Sequence, residues 1–372
     1  MTATTRHYPP FRADHVGSLL RPAALRQAFR RFDAGDLDAA SFRRVQDEAV
    51  RAVVRMQEQA GLKIVTDGEF RRSSYWGRFV ERTEGFEIRR AAYKFRDERG
   101  HQMDFTTPYA AAKIRRVREL ALDEFEFLRD TARVACKITL PAPSTMHFYA
   151  GQRFADPDIY ADAAAFFADL SQVYQQEIAD LAQAGCRYVQ LDEVAIAMLC
   201  DPSLRERVRA EGQDPDRLVD TYVEAINRAV AYRPADMAVG IHVCRGNFKG
   251  HYLSEGGYES VGERFFANVD ATHFLLEYDT KRAGDFAPLR FVPKHKGVVL
   301  GLISTKTPQL EAVDALRRRI EEAAGYVDLD RLAIGPQCGF ASTVAGNPVS
   351  EADQQAKLAR MVEVASIVWG TP

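Results

Sequence analysis

Short runs rich in branched residues recur along the chain, most of them followed by a longer stretch whose apolar positions fall three and four apart. The first pattern predicts a strand buried on both faces, the second an amphipathic helix packed against it. ADHVGSLL, starting at Ala13, and the run Leu25 to Ala60 form the first such pair. LKIVTDGEF (62–70) comes next, and after it a charged, aromatic stretch of roughly 78–106 that has neither period and predicts an inserted loop or hairpin. A helix is expected from about Ile114 to Arg133. VACKITLPAP then precedes a helix at Ile159–Ala184, CRYVQLDEV one at Pro215–Tyr232, and MAVGIHVC one at Glu259–Asn268. THFLLEY, GVVLGLIST and LAIGPQCGF add three strands, the last two followed by helical runs at Gln309–Ala324 and Glu351–Val368.

Eight strands alternating with helices imply a parallel sheet with crossover helices, and the count suits a closed barrel better than an open sheet. The expectation is an α/β protein, a (β/α)8 TIM barrel forming one catalytic domain over residues 1–372, with the insertion at about 78–106 following the second strand. Either one large domain or two smaller ones is compatible with the length, but no linker is evident. A Rossmann-type sheet is the alternative. Against it, HVGSLLR has a single glycine where a dinucleotide fingerprint needs several, and no phosphate-cradling glycine loop occurs elsewhere.

Composition narrows the function. Hydrophobic residues make up 46% and charged residues 27%, ordinary for a folded chain with a substantial core. The 50 basic and 52 acidic side chains nearly cancel, which argues against nucleic acid as a partner. No apolar run is long enough to cross a bilayer and the start lacks a signal-peptide core, so a cytoplasmic location is expected. Five scattered cysteines do not form an extracellular disulfide framework, and any with a task is a ligand or a nucleophile.

In a barrel of this kind the chemistry gathers where strands end and loops begin. The polar residues predicted there include Asp14, His15, Ser18, Asp67, Glu69, Asp192, Glu193, His242, Cys244, Glu277, Asp279, Ser304, Lys306 and Cys338. Side chains alternate across a strand, so His242 and Cys244 share one face and can grip one ion. Cys338 in GPQCGF and Glu277 in LLEYD are the natural completions. One nitrogen, one oxygen and two sulfur donors make a set that zinc accepts, with three formal negative charges. Such electron density disfavours a zinc hydroxide hydrolase and suits an incoming thiol. Buried free cysteine is the plain alternative, and it covers Cys136 and Cys186 at strand starts and Cys200 in a loop. No Gly-x-Ser-x-Gly elbow of a metal-free hydrolase is present.

Taken together, HVGSLLRP, TDGEFRR, VQLDE, IHVCRGN, FLLEYD, GLISTK and PQCGFAS resemble the cobalamin-independent methionine synthase family over nearly the whole chain. The length is similar to that of its short, single-barrel branch, and epoxyalkane:coenzyme M transferases share the metal motif. The resemblance implies a Zn2+ cofactor on His242, Cys244, Glu277 and Cys338, and it selects Glu277 over neighbouring carboxylates. It implies a small-molecule thiol acceptor, homocysteine, methylated to methionine, and a methylated folate as donor. The acceptor's amino-acid part is placed near Gly17 and Ser18, with Glu69 and Asp192 at its ammonium. A structural ion pair with Arg71 or another barrel residue is the alternative for those two carboxylates.

One position departs from the family. The larger synthases carry a histidine on the seventh strand, where GLISTK places Ser304. This counts against a methyl-folate polyglutamate donor. His15, His251 or Lys306 could substitute, and His15, at a strand end, is the expected catalytic residue, with a core or capping histidine as the alternative. Arg245, Asn247, Tyr75 and Trp76 are expected at the rim without an assigned role. Two other functions stay open at this point: thiol opening of an epoxide by coenzyme M, and a non-catalytic zinc or small-molecule binding barrel.

Overall fold

The computed structural model describes residues 9–371. Six parallel strands form a continuous sheet in the spatial order of their sequence: Ile138–Pro141, Tyr188–Glu193, Ala238–Val243, His273–Glu277, Gly297–Ile303 and Leu332–Pro336. Ile64–Val65 extends it by pairing with Ala135–Cys136, which runs into the first of the six through Lys137. The chain at Ala13 closes the circle by a parallel bridge to Ile334, supported by Asp14 N–H donating to Ile334 O at 3.1 Å. The protein is thus an α/β barrel of the TIM type, as the strand count predicts.

Alternation along these strands sorts the core into two populations. Val239, Ile241 and Val243 face the surrounding helices and join the large apolar cluster there. The opposite face of the same strand carries Gly240 and His242, and neighbouring strands add Tyr188, Gln190, Asp192, His273 and Glu277 to the interior. Two small apolar layers lie inside: Leu275, Val299 and Ala333, and, toward the start of the strands, Ile64, Tyr188 and Ala238. The barrel lumen is therefore polar toward the carboxyl ends of its strands, and its floor is a hydrogen-bonded network. There Lys137 Nζ donates to Asp14 Oδ1 at 2.6 Å and to Gln190 Oε1 at 2.9 Å, while Tyr188 Oη donates to Asp14 Oδ2 at 2.6 Å. Both members of the Lys137 to Asp14 pair are fully buried.

The interior is tight enough that glycine is needed where strands approach the closing segment. A Cβ on Gly335 would lie 2.5 Å from Asp14 O and 2.8 Å from Val299 Cγ1. Backbone cannot give way as a flexible side chain can, so Gly335→Ala is expected to lower stability by about 1–3 kcal/mol, read as a lower urea midpoint at unchanged m-value.

Three local expectations differ from the structure. The run Leu25 to Ala60 is two helices, Ala23–Asp33 and Ala39–Gln59, parted at Gly35 (φ +78°) and restarted by Asp38, whose side chain accepts from Ser41 N. The segment expected to begin a helix at Ile114 is instead the end of a long strand, Thr106–Arg116, paired antiparallel with Thr83–Arg90. The helix begins only at Leu122 and runs to Thr131. The inserted hairpin consequently extends past residue 106, and a second small pair, Phe95–Arg96 with Gln102–Met103, forms its tip. The alanines of TTPYAAAKIRR favour helix locally, but cross-strand pairing overrides that preference.

Candidate functional site

The strand Ala238–Val243 delivers His242 to the upper interior, and Cys244 follows immediately beyond its end. Glu277 closes the next strand, His273–Glu277, and Cys338 comes two residues after Pro336, the last residue of Leu332–Pro336. One ligand atom from each of His242, Cys244, Glu277 and Cys338 lies within 4.8 Å of the others, and all four residues are buried. The two sulfurs are 3.2 Å apart.

Each donor is held by its surroundings. His242 Nδ1 faces the carbonyl of Leu275 at 3.3 Å, which leaves Nε2 without a hydrogen-bond partner in the buried cluster. Glu277 Oε1 accepts from the backbone N–H of Arg245 at 2.8 Å, and Cys244 Sγ from Gly246 N–H at 3.3 Å. Asn247 Nδ2 donates to Gly339 O at 2.7 Å and pins the loop that carries Cys338. Arg245 itself is buried, its guanidinium donating to Tyr258 Oη and Gly256 O, so it braces the strand end rather than lining the rim. Lys306 Nζ donates to Gly246 O at 2.9 Å and brings a positive charge to the cluster.

Without a cation, these groups share protons awkwardly. A hydrogen bond from Cys244 draws the Cys338 thiol well below its ordinary value against the pull of burial, and His242 adds to the effect. The same bond, with burial, pushes the Cys244 thiol well above its usual range. Burial disfavours charge on His242, yet Cys338, Asp192 and Glu277 outweigh it and raise the imidazole to about 9. A buried imidazole nitrogen beside two sulfurs and a carboxylate fits a zinc ion by donor chemistry and by spacing, and the carbonyl on Nδ1 fixes the tautomer that zinc requires.

The cluster opens into a cavity of about 600 Å³ whose wall includes His242, Cys244, Cys338, Ser18, Glu69 and Asp192. Glu69 adopts a left-handed backbone (φ 59°), uncommon for a residue with a Cβ. Its Oε1 accepts from Thr139 Oγ1 at 2.7 Å and lies 3.6 Å from Arg72 Nη1, while its buried Oε2 has no hydrogen-bond partner. Arg71 turns away to Asp47 at 2.6 Å. The carboxylate of Asp192 accepts from Gln190 Nε2 at 2.7 Å, and burial pushes it up to about 7 while His242 opposes the rise. Gly17 (φ +139°) packs behind Glu69, where a Cβ would strike Thr139 Cγ2 at 2.6 Å. Tyr75, Trp76 and Asn247 also line the cavity.

His15 is not brought to this cavity. It is buried, and burial together with Lys137 lowers it to about 3 against a hydrogen bond with Gln57 that opposes the fall. His15 faces the outer helix of Gln57 rather than the lumen, because it and the cavity-lining Val16 fall on opposite sides of the chain. Ser304, at the end of the seventh strand, is likewise outside the wall, its N–H bonded to Glu311 Oε1 at 2.8 Å. Glu193 caps the short helix after its strand through Ile196 N at 2.9 Å. Sequence reasoning missed Gln190, Thr139 and Lys137. The signal was available: each is a polar residue on the lumen side of an otherwise apolar strand, in the same alternation that singled out His242 and Cys244.

An α/β barrel whose cavity wall joins four side chains that could hold a metal ion with two buried carboxylates is the scaffold of a small-molecule site. Residues 11–367 match the family model described as "Cobalamin-independent synthase, Catalytic domain". The chain belongs to that family, in its short single-domain form. It is 40% identical to the uncharacterized protein YxjH of Bacillus subtilis over 97% of this chain and 95% of that one. It is 28% identical to a methionine synthase of Pyrococcus abyssi over 87% of this chain and 85% of that protein. Among solved structures, a putative vitamin-B12 independent methionine synthase from Listeria monocytogenes superimposes with a TM-score of 0.77 at 33% identity, covering 97% of this chain and 98% of the other. Among the described residues, no helix is long and apolar enough to cross a membrane.

Proposed function

We propose that the protein is a zinc-dependent methyltransferase that moves a methyl group to the thiol of homocysteine, giving methionine. The observation that carries this reading is the convergence of His242, Cys244, Glu277 and Cys338 on one point of a cavity that also presents Glu69 and Asp192. When bound, zinc supplies a Lewis acid that lowers the pKa of an acceptor thiol, making a nucleophile available at neutral pH.

The chain's own residues do the rest. Leu275 O and Arg245 N–H orient two of the metal donors. The unpartnered Oε2 of Glu69, with Asp192, offers anionic acceptors to the ammonium of an amino-acid thiol. Gly17 keeps the backbone slim beside Glu69, and Ser18 stands on the cavity wall next to Gly339. Residues 1–372 are taken to act as one catalytic domain, with the inserted hairpin roofing the cavity through Phe86, Ile88 and Phe105.

The coenzyme M reading has less support. A sulfonate acceptor calls for a cation, and among the described residues no lysine or arginine lines the cavity. Zinc-loaded protein given homocysteine and coenzyme M side by side is expected to methylate homocysteine; alkylation of coenzyme M alone overturns the proposal. A zinc-binding barrel without catalysis would take up metal and alkylate neither thiol. Glu69→Gln is expected to raise KM for homocysteine about tenfold or more, consistent with loss of roughly 1.5–3 kcal/mol from one charge-assisted contact, with zinc content unchanged.

A further inference from the structure

We propose that Lys306 is the charge-balancing residue of the thiol-activating corner, its ammonium favouring the anionic form of the acceptor sulfur from behind Gly246. The proposal rests on the thiol-methylating reading above and adds a positioning residue to that site.

The donor set is rich in negative charge. Two thiolates and one carboxylate carry three formal negative charges, which a divalent cation leaves at one and an acceptor thiolate raises to two. Glu69 and Asp192 stand on the same cavity wall, and Asp279 follows Glu277 by two residues. Buried charge of one sign is costly unless a counter-charge stands close by. His242 is a neutral ligand once coordinated. The cations that act on Glu277 are Lys306 and Arg245.

These two are placed differently. Arg245 is buried, and its guanidinium is committed to Tyr258 Oη at 2.7 Å and Gly256 O at 2.8 Å. Lys306 follows the seventh strand, Gly297–Ile303, and its Nζ donates to Gly246 O at 2.9 Å, with no carboxylate of the described residues in ion-pair contact. Gly246 is also the residue whose N–H reaches Cys244 Sγ at 3.3 Å, so one residue holds the sulfur at one end and the ammonium at the other. Its backbone is left-handed (φ +92°), and a Cβ there would lie 2.8 Å from Leu253 N, which fixes the turn. Thr305 ties down the base of the lysine: its N–H donates to Gln337 Oε1 at 3.1 Å, beside Cys338, and its carbonyl accepts from Asn347 Nδ2 at 3.1 Å. The positive charge is thus anchored to both sulfur-bearing loops without being cancelled by a partner.

Its field has the required direction. Burial pushes the Glu277 carboxyl up, and Lys306 is the leading charge that opposes the rise. Burial acts likewise on Asp279, opposed by Lys306, by a hydrogen bond with Ser304 and by Arg282. On Cys244 and Cys338, where the bond between the sulfurs dominates, Lys306 again favours the thiolate. A thiolate added to this corner meets the same attraction. Methylation turns that thiolate into a neutral thioether, so the lysine favours the acceptor and gives no hold to the product.

The test separates charge from packing. In cobalt-substituted protein, homocysteine is expected to change the visible spectrum, and the pH midpoint of that change reports ionisation of the bound thiol. Lys306→Gln keeps a donor for Gly246 O and removes the charge, whereas Lys306→Arg keeps the charge. The midpoint is expected to rise by about one pH unit in Lys306→Gln and to stay within about 0.3 unit of the parent in Lys306→Arg. Below the midpoint, Lys306→Gln should bind homocysteine roughly tenfold more weakly and methionine within about twofold of the parent. Lys306→Met carries the same expectation should the glutamine variant fail to fold. A parental midpoint in the uncharged variants overturns the proposal and leaves the thiol reading standing. An equal rise in Lys306→Gln and Lys306→Arg also overturns it, since the lysine would then act by its shape. No cobalt response in the parent removes the thiol reading and the role of Lys306 with it.

Discussion

Replacing Cys338 with serine is expected to abolish binding of the proposed zinc. A serine hydroxyl keeps its proton at neutral pH and is a poor donor to zinc, so the cluster drops from four donors to three and loses one of its negative charges. The side chain lies 3.2 Å from Cys244 in a loop pinned by Asn247, and among the described residues His242, Cys244 and Glu277 are the other members of the group. Altering the partners of a metal ligand typically costs 10–100-fold in affinity, and loss of the ligand itself is expected to exceed about 100-fold. The variant should emerge from dialysis nearly metal-free by elemental analysis, with the far-ultraviolet spectrum of the parent. Full stoichiometry in Cys338→Ser would contradict the ligand assignment.

The second large effect concerns the barrel floor. Lys137→Met leaves the Asp14 carboxylate fully buried with Tyr188 as its remaining side-chain donor. Removing one partner of a buried pair costs about 3–5 kcal/mol, because the other charge is left uncompensated. That is a large share of the stability of an ordinary domain, so a strongly reduced urea midpoint or loss of soluble protein is expected. Adding Asp14→Asn to the Lys137→Met variant removes the stranded charge and should recover part of the loss. A midpoint for Lys137→Met within experimental error of the parent would show that the pair contributes nothing net.

Much of this was legible in the sequence because parallel barrel strands are apolar on both faces except where the lumen needs chemistry. The polar intruders His242, Glu277 and Asp192 stand out against that background, and Cys244 and Cys338 follow at the strand ends. The eight-strand count also survives, with the first strand reduced to the bridge at Ala13, because most strands are followed by a helical crossover. His15 was harder. It occupies a strand end as the others do, but the first strand is reduced to a single bridge at Ala13, and which side each residue faces cannot be read from so short an alternation. The inserted hairpin hid its second arm in an alanine-rich segment whose partner, Thr83–Arg90, lies across the insertion from it. Fixing Glu277 rather than Asp279 as the fourth donor needed the family resemblance; in the structure Glu277 joins the cluster and Asp279 does not.

That abbreviated first strand has a further consequence. On either side of Ala13 a few bonds substitute for a full ladder: Asp14 N–H to Ile334 O, Ile334 N–H to Arg12 O and Phe340 N–H to Ser18 O on one side, and Leu19 N–H to Gly68 O on the other. Gly17 and Ser18 belong to one lip of this seam and Cys338 to the other. Transient parting of the lips would therefore pull the proposed amino-acid cradle away from the sulfur-rich corner, so amide exchange at Leu19 and Phe340 should slow when a thiol amino acid spans the two and staples the wall shut.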